Sequence, residues 1–191
     1  SLYTKLPFDV EKDFEAIGPA AKLELALMAY PGLPANNLRE LVELAKSKPG
    51  QVRFASTGIG STHQLFIELL KMRAGIDLLH VPYTGTGPAT PNLISGEVQV
   101  MLFGIPQALT SSGRLKPLAV GALTRVPLMP DVPTISESGF PDFEASNIWG
   151  LWAPARTPPR VVAKLRAAVD QAINDPEVHS WYQANGLTPI Q

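Results

Sequence analysis

Val52-Arg53-Phe54-Ala55-Ser56-Thr57-Gly58-Ile59-Gly60-Ser61-Thr62-His63 is the stretch that decides the fold. A short apolar run over 52–55 reads as a strand and stops at a loop rich in glycine and hydroxyl groups. Ser61 then opens a helix through Ala74, with Leu65, Phe66, Leu69 and Leu70 expected to face inward. The same phrase recurs downstream. Leu78-Leu79-His80-Val81 is a second strand, Pro82-Tyr83-Thr84-Gly85-Thr86-Gly87 a second loop, and 88–95 a second helix, ended by Gly96. Glycine lets backbone approach a ligand closely, and a helix N-terminus presents unsatisfied N–H groups and partial positive charge. Two such loops predict a cleft that holds an anion with neutral donors.

Outward from these loops the pattern continues. Residues 23–30 form an apolar run ending at Pro31-Gly32, read as a buried strand. Asn36 or Asn37 caps a helix in which Leu38, Leu41, Val42 and Ala45 recur at helical spacing, closed by Lys48-Pro49-Gly50. Residues 98–103 and 115–120 read as strands, with a short helix over 106–111 between them. This alternation predicts an α/β fold with a mostly parallel sheet flanked by helices. Residues 125–141 carry four prolines and read as an extended excursion, and 143–153 as a long strand. Thr157 is expected to cap a helix with a buried stripe of Val161, Val162, Leu165, Val169 and Ile173. Asp175-Pro176 opens a last helix, ending near Asn185-Gly186.

Composition removes several classes of function. Of 191 residues 17% are charged, the net charge is −1, and no cluster of Lys and Arg appears, so no nucleic-acid footprint is expected. With no cysteine, thiol catalysis, cysteine-ligated zinc and disulfides are excluded. No apolar run approaches the roughly 18 residues of a membrane span. Ser1-Leu2-Tyr3-Thr4 shows neither a charged nor an apolar leader region and does not start with Met. The expectation is a chain without a signal peptide, numbered from inside a longer protein.

The first loop fits neither common phosphate motif. A P-loop needs a lysine that does not stand near Gly60, and a dinucleotide fingerprint needs a third glycine where His63 stands. What remains is a short anion site made from the helix N–H groups and the hydroxyls of Ser56, Thr57, Ser61 and Thr62. The plainer alternative makes Ser61 only a helix cap. In the second loop Tyr83 reads as core or as ligand wall, and Gly85 as tight turn or close approach. Gly104 falls at the C-terminal end of another strand, where open α/β sheets bind ligands. Ser61 and His63 stand two apart on a helix and cannot pair, so no nucleophile–base couple is read from them. His80 reads as a strand residue and His179 as an exposed helix residue. Three histidines without metal-ligand spacing predict no metal site and no cofactor. Glu11, Asp13 and Glu15 read as a solvated segment. Trp152 is expected in the core, and Trp149 as the wall of a pocket.

Several stretches together resemble a known family. They are Lys5-Leu6-Pro7-Phe8-Asp9, Asp13-Phe14-Glu15-Ala16-Ile17-Gly18, Phe54 to His63, His80-Val81-Pro82-Tyr83, Gly96-Glu97-Val98-Gln99-Val100, Met129-Pro130-Asp131-Val132-Pro133-Thr134 and Gly139-Phe140-Pro141. The chain resembles the tripartite tricarboxylate transporter substrate-binding proteins, the Bug-type periplasmic receptors, from Leu2 to about Pro189. The resemblance implies a type II periplasmic binding fold of two lobes that hinge near 22–27 and 143–149. It implies a complete second lobe over 23–145, and a first lobe present only in part as 1–22 and 146–191. It also implies an N-terminal stretch with its own ligand loop that this sequence does not match. Apolar surface on a partial lobe is expected to favour a homodimer.

The implied ligand residues are Ser56, Thr57, Gly58, Ser61, Thr62, His63, Tyr83 and Gly85, to which the residue reading adds Thr84, Thr86, Gly104 and Trp149. Many members carry Lys where Thr84 stands and often Asp where Gly104 stands. Losing both points away from amino-acid ligands and toward a plain mono- or dicarboxylate, aromatic ones included. The implied function is a periplasmic receptor that hands a carboxylate to membrane transporter subunits, with no catalytic residue. Two alternatives stay open: an α/β enzyme of acyl or phosphate transfer type, and the effector-binding domain of a regulator. The first lacks a positioned base or cation, and the second lacks a basic helix-turn-helix segment.

Overall fold

The computed structural model describes residues 5–105 and 113–190. The chain divides into two compact units. Glu24–Ser146 is the larger, and the described residues of Ser1–Leu23 and Asn147–Gln191 make the smaller. The expected helix over 106–111 lies outside the described residues, apart from its neighbourhood at Ile105.

Strand β1 (Phe14–Ala29) begins in the smaller unit and ends in the larger. It starts nine residues before the strand expected from the apolar run. Its first half alternates exposed and covered positions, so Glu15 is a strand residue rather than part of a solvated leader. In the larger unit it is followed by α1 (Leu38–Ser47), β2 (Arg53–Ser56), α2 (Thr62–Ala74), β3 (Leu79–Pro82), α3 (Thr86–Ser95), β4 (Val100–Gly104) and β5 (Lys116–Val120). Asn37 caps α1, its side chain accepting the Glu40 N–H at 2.9 Å.

The sheet order is β3-β2-β4-β1-β5. β2 runs parallel to β3 and β4, but β1 is antiparallel to both β4 and β5. The sheet is therefore mixed, not mostly parallel. Alternation of strand and helix specifies the three strands joined by successive crossovers, whereas β1 slots between two strands far from it in sequence.

Leu25 to Ala29 are all buried because both faces of the sheet are covered. Leu25, Leu27, Val100, Leu102 and Phe54 point to one face and pack with Leu38, Leu41 and Val42 of α1 and Ile67 and Leu70 of α2. Ala26, Met28, Met101, Phe103 and Ala55 point to the other and pack with Ala89 and Leu93 of α3. The result is helix, sheet, helix. On α2 the buried positions are His63, Ile67, Leu70 and Ala74, with Phe66 and Leu69 partly buried. Leu65 is instead 50% exposed, since a helix starting at Thr62 turns it away from the sheet.

β5 carries Pro117, which fits its place at the end of the strand order. Beyond it the excursion covers the edge: Val120 N–H donates to Pro133 O at 2.9 Å and Ile135 N–H to Val120 O at 2.8 Å. Where the sheet meets the unit boundary, three backbone segments touch. Leu25 N–H donates to Ala145 O (3.0 Å), Ala145 N–H to Gly121 O (2.8 Å) and Gly121 N–H to Leu25 O (2.6 Å). A methyl at position 121 would stand 2.6 Å from Ala145 O.

In the smaller unit, β6 (Ser146–Pro154) and β7 (Leu187–Pro189) both pair with β1, beside α4 (Pro159–Ile173) and α5 (Pro176–Ala184). Its core is small, with Ile17, Ala153 and Val162 buried and Val169 against them. Val161 and Leu165, expected inside, are each 39% exposed. Thr157 is not the cap: Pro158 precedes the helix without a side-chain cap bond, and Pro159 takes the first helical position. Asp175 caps α5 as expected, accepting the Glu177 and Val178 N–H groups.

Candidate functional site

Because β2, β3 and β4 are mutually parallel, their C-terminal ends share one edge of the sheet. Ser56, Pro82 and Gly104 close those three strands, so the two glycine loops start side by side. Tyr83 N–H donates to Ser56 O at 3.0 Å, and Gly58 lies close enough that an added methyl would touch Tyr83 O at 3.6 Å.

Ser56 is fully buried. Its Oγ accepts the Gly58 N–H (3.2 Å), donates to Gly58 O (3.0 Å) and lies 2.7 Å from His80 Nε2. A hydroxyl has one hydrogen and two acceptor sites, so all three contacts are satisfied when His80 donates from Nε2. This seryl–imidazole contact resembles a nucleophile and its base in distance alone. The serine hydrogen is already committed to a carbonyl, and burial leaves no room for a substrate. His80 stacks on Phe54 at 4.7 Å, with the Lys71 ammonium 5.7 Å from the same ring. Burial, aided by Lys71 and opposed by Glu68, holds the His80 pKa below its ordinary value.

Gly58 (φ 131°) and Gly60 (φ 79°) adopt conformations that side chains resist, and they reverse the chain between strand and helix. The turn closes through Ser61 N–H to Gly58 O at 3.2 Å. Ser61 caps α2, its Oγ accepting the Gln64 N–H at 3.3 Å, while Gln64 Oε1 accepts the Gly60 N–H at 2.6 Å. Gln64 was missed as a loop residue, although Ser-x-x-Gln before an apolar run is a capping signature. His80 was missed too, and its partner lies 24 residues away. Thr57 Oγ1 meets His63 Nδ1 at 2.9 Å. His63 is 8% exposed, and burial lowers its pKa. Thr62 is exposed on the first turn of α2.

In the second loop the Tyr83 ring packs against the α3 face of the sheet, and its hydroxyl accepts from Asn92 Nδ2 at 2.9 Å. Thr84 is exposed. Gly85 precedes α3 with no side-chain cap bond, and Thr86 is the exposed first helical residue. Gly104 is half-buried opposite Leu25. Ser56 to His63 and Tyr83 to Thr86 contain no Asp, Glu, Lys or Arg, so donors here are neutral. Trp149 is not in this unit: it lies on β6, 47% exposed, and Trp152 on the same strand is 63% exposed rather than in the core. Five consecutive β6 positions, from Ile148 to Trp152, are exposed. Among the described residues no group of three or more His, Cys, Asp or Glu side chains converges, and no helix is long and apolar enough to cross a membrane.

A mixed sheet between helical layers, with glycine loops at one strand edge, is the architecture of type II periplasmic binding proteins. The chain belongs to the tripartite tricarboxylate transporter family receptors (TctC), whose family pattern it matches over residues 1–191. It is 36% identical over 179 residues to the UPF0065 protein in the tcbD-tcbE intergenic region of Pseudomonas sp. strain P51, covering 92% of this chain and 53% of that one. It is 32% identical over 192 residues to the protein BugT of Bordetella pertussis, covering 100% and 59%. The chain thus spans somewhat more than half the length of these relatives. Among solved structures it is similar to R. palustris Rpa4515 with adipate, at TM-score 0.90 and 28% identity over 98% of this chain and 63% of the other. It is also similar to MatC from Rhodopseudomonas palustris with bound malate, at TM-score 0.85 and 32% identity over 97% and 64%. The matching family is thus one of receptors rather than of enzymes.

Proposed function

We propose that this chain carries the ligand loops of a periplasmic receptor for a small mono- or dicarboxylate, which it passes to the membrane subunits of a tripartite transporter. The observation that carries the reading is the shared edge of β3, β2 and β4, where two glycine loops lead into helices with no charged side chain in either loop. Carboxylate oxygens accept several neutral donors at once, and a helix N-terminus adds favourable potential. In this reading the backbone of Gly58 and Gly85 and the hydroxyls of Thr57, Ser61, Thr62, Thr84 and Thr86 meet the ligand. Ser56, His63 and Tyr83 hold the loops, and Gly104 leaves room beside them. The adipate and malate in the two Rhodopseudomonas proteins support the ligand class. Thr84 and Gly104 offer no ion to an ammonium or a second charge, which favours plain carboxylates over amino acids.

A thermal-shift panel tests this. Adipate, malate or benzoate at about 100 times its Kd should stabilise the protein by roughly 2.7 kcal/mol and raise the Tm by several degrees. A rise with sugars or amines, and with no carboxylate, makes the ligand class wrong.

A further inference from the structure

The two adjacent hydroxyls of the first loop differ in how their hydrogen bonds are filled. Ser56 Oγ has its single hydrogen and both acceptor sites occupied inside the chain, with His80 donating from Nε2. Protonating His80 at its other nitrogen leaves that arrangement unchanged. Thr57 Oγ1 has one partner among the described residues, His63 Nδ1 at 2.9 Å. That one contact can run in two directions. With the imidazole proton on Nε2, Thr57 donates to Nδ1 and turns only lone pairs outward. With a proton on Nδ1, His63 donates to Thr57, whose own hydrogen is then free to point outward.

We propose that His63 is a specificity-determining residue: as an imidazolium it commits Thr57 to donate outward, so proton uptake at His63 selects for an ionised carboxylate at the loop. The proposal rests on the carboxylate reading above and goes past it, to the side chain that sets the polarity of the site.

The surroundings leave His63 free to act this way. It sits on the first turn of α2, buried beneath the loop. Neither loop contributes a charged residue, and the titratable phenol of Tyr83 is engaged by Asn92. Glu68 and Lys71, farther along α2, act on His80. Burial is the cause that depresses the pKa of His63, so without ligand it is neutral at pH 7. The partial positive charge at the helix start works in the same direction. An anion against the loop reverses that balance and favours the imidazolium. Binding and protonation are then linked, and each strengthens the other by the same factor.

The test measures adipate affinity calorimetrically from pH 8 to 5 for the wild type, His63→Asn and Thr57→Val, and follows the His63 imidazole by NMR with and without adipate. Asn keeps a hydrogen-bonding group near the Nδ1 position but does not titrate, so the ratio of wild-type to His63→Asn affinity cancels adipate's own protonation. That ratio should rise as pH falls toward the free-protein pKa of His63, by up to about tenfold per pH unit, the limit for one linked proton. Adipate should raise the His63 pKa, and Thr57→Val should lose most of the gain while His63 still titrates. A flat ratio, an unmoved His63 pKa, or a full gain in Thr57→Val overturns the proposal while leaving the carboxylate reading intact. If adipate, malate and benzoate bind at no pH, the carboxylate reading falls, and this proposal falls with it.

Discussion

Glycines in this chain act in two physically different ways. Gly58 and Gly60 are needed for backbone dihedral angles, and the sequence shows them because they stand between a strand and a helix. Gly121 is needed for space. Its backbone is not in the left-handed region, yet a methyl there would meet Ala145 O at 2.6 Å, Ala145 Cβ at 2.7 Å and Leu25 O at 3.0 Å. Two of these are backbone atoms held in hydrogen bonds and cannot swing away. Gly121→Ala should therefore cost about 1–3 kcal/mol, the range of overpacked core sites, read as a lower urea midpoint with an unchanged slope. The same contrast explains which site residues were legible. Loop glycines and the cap Ser61 declare themselves locally. The Ser56–His80 and Thr57–His63 pairs exist only once β3 and α2 have packed against β2, so no local pattern announces them.

At the scale of elements, the strands and helices of the larger unit were legible because a covered sheet leaves apolar runs and its helices leave periodic stripes. The direction of β1 was not, since the strands beside it follow it by some seventy residues or more. The smaller unit was read less well. Apolar residues such as Trp152, Val161 and Leu165 look like core in sequence, yet this unit buries few side chains. The Pro-Asp-Val-Pro-Thr stretch is architectural: it seals the β5 edge and leads into a reciprocal cap. Thr134 Oγ1 accepts the Glu137 N–H at 2.9 Å, and Glu137 Oε2 accepts the Thr134 N–H at 2.7 Å. Arg125 Nε lies 3.1 Å from both Glu137 oxygens. The Thr134 N–H is the largest cause holding the Glu137 pKa below its ordinary 4.5, and Arg125 adds to it. A carboxylate depressed on folding stabilises above its unfolded pKa, and that contribution fades as pH falls through the folded value. The wild-type urea midpoint should accordingly drop from about pH 4.5 downward, and Glu137→Gln should start lower at pH 7 and show a shallower acid slope. Equal slopes in the two proteins would mean that this cap does not titrate with folding.

At the scale of the whole molecule, the chain leaves the smaller unit after Leu23 and returns at Asn147. Just inside those two points, Leu25 N–H and Ala145 O are joined at 3.0 Å, and Gly121 bonds to both residues. Entry and exit are therefore neighbours, the arrangement of an inserted domain whose ends meet. Such a segment loses little when cut free, because its first and last residues are already tied together by its own backbone. Residues 24–146 expressed alone should fold with a single cooperative urea transition, and the burial of His63 should persist as a depressed imidazole pKa. A fragment without a cooperative transition would show that the larger unit borrows its stability from the rest of the chain. If it folds, that three-way backbone clasp also makes the two glycine loops a portable cassette, one that can be transplanted or permuted without redesigning the sheet that presents them.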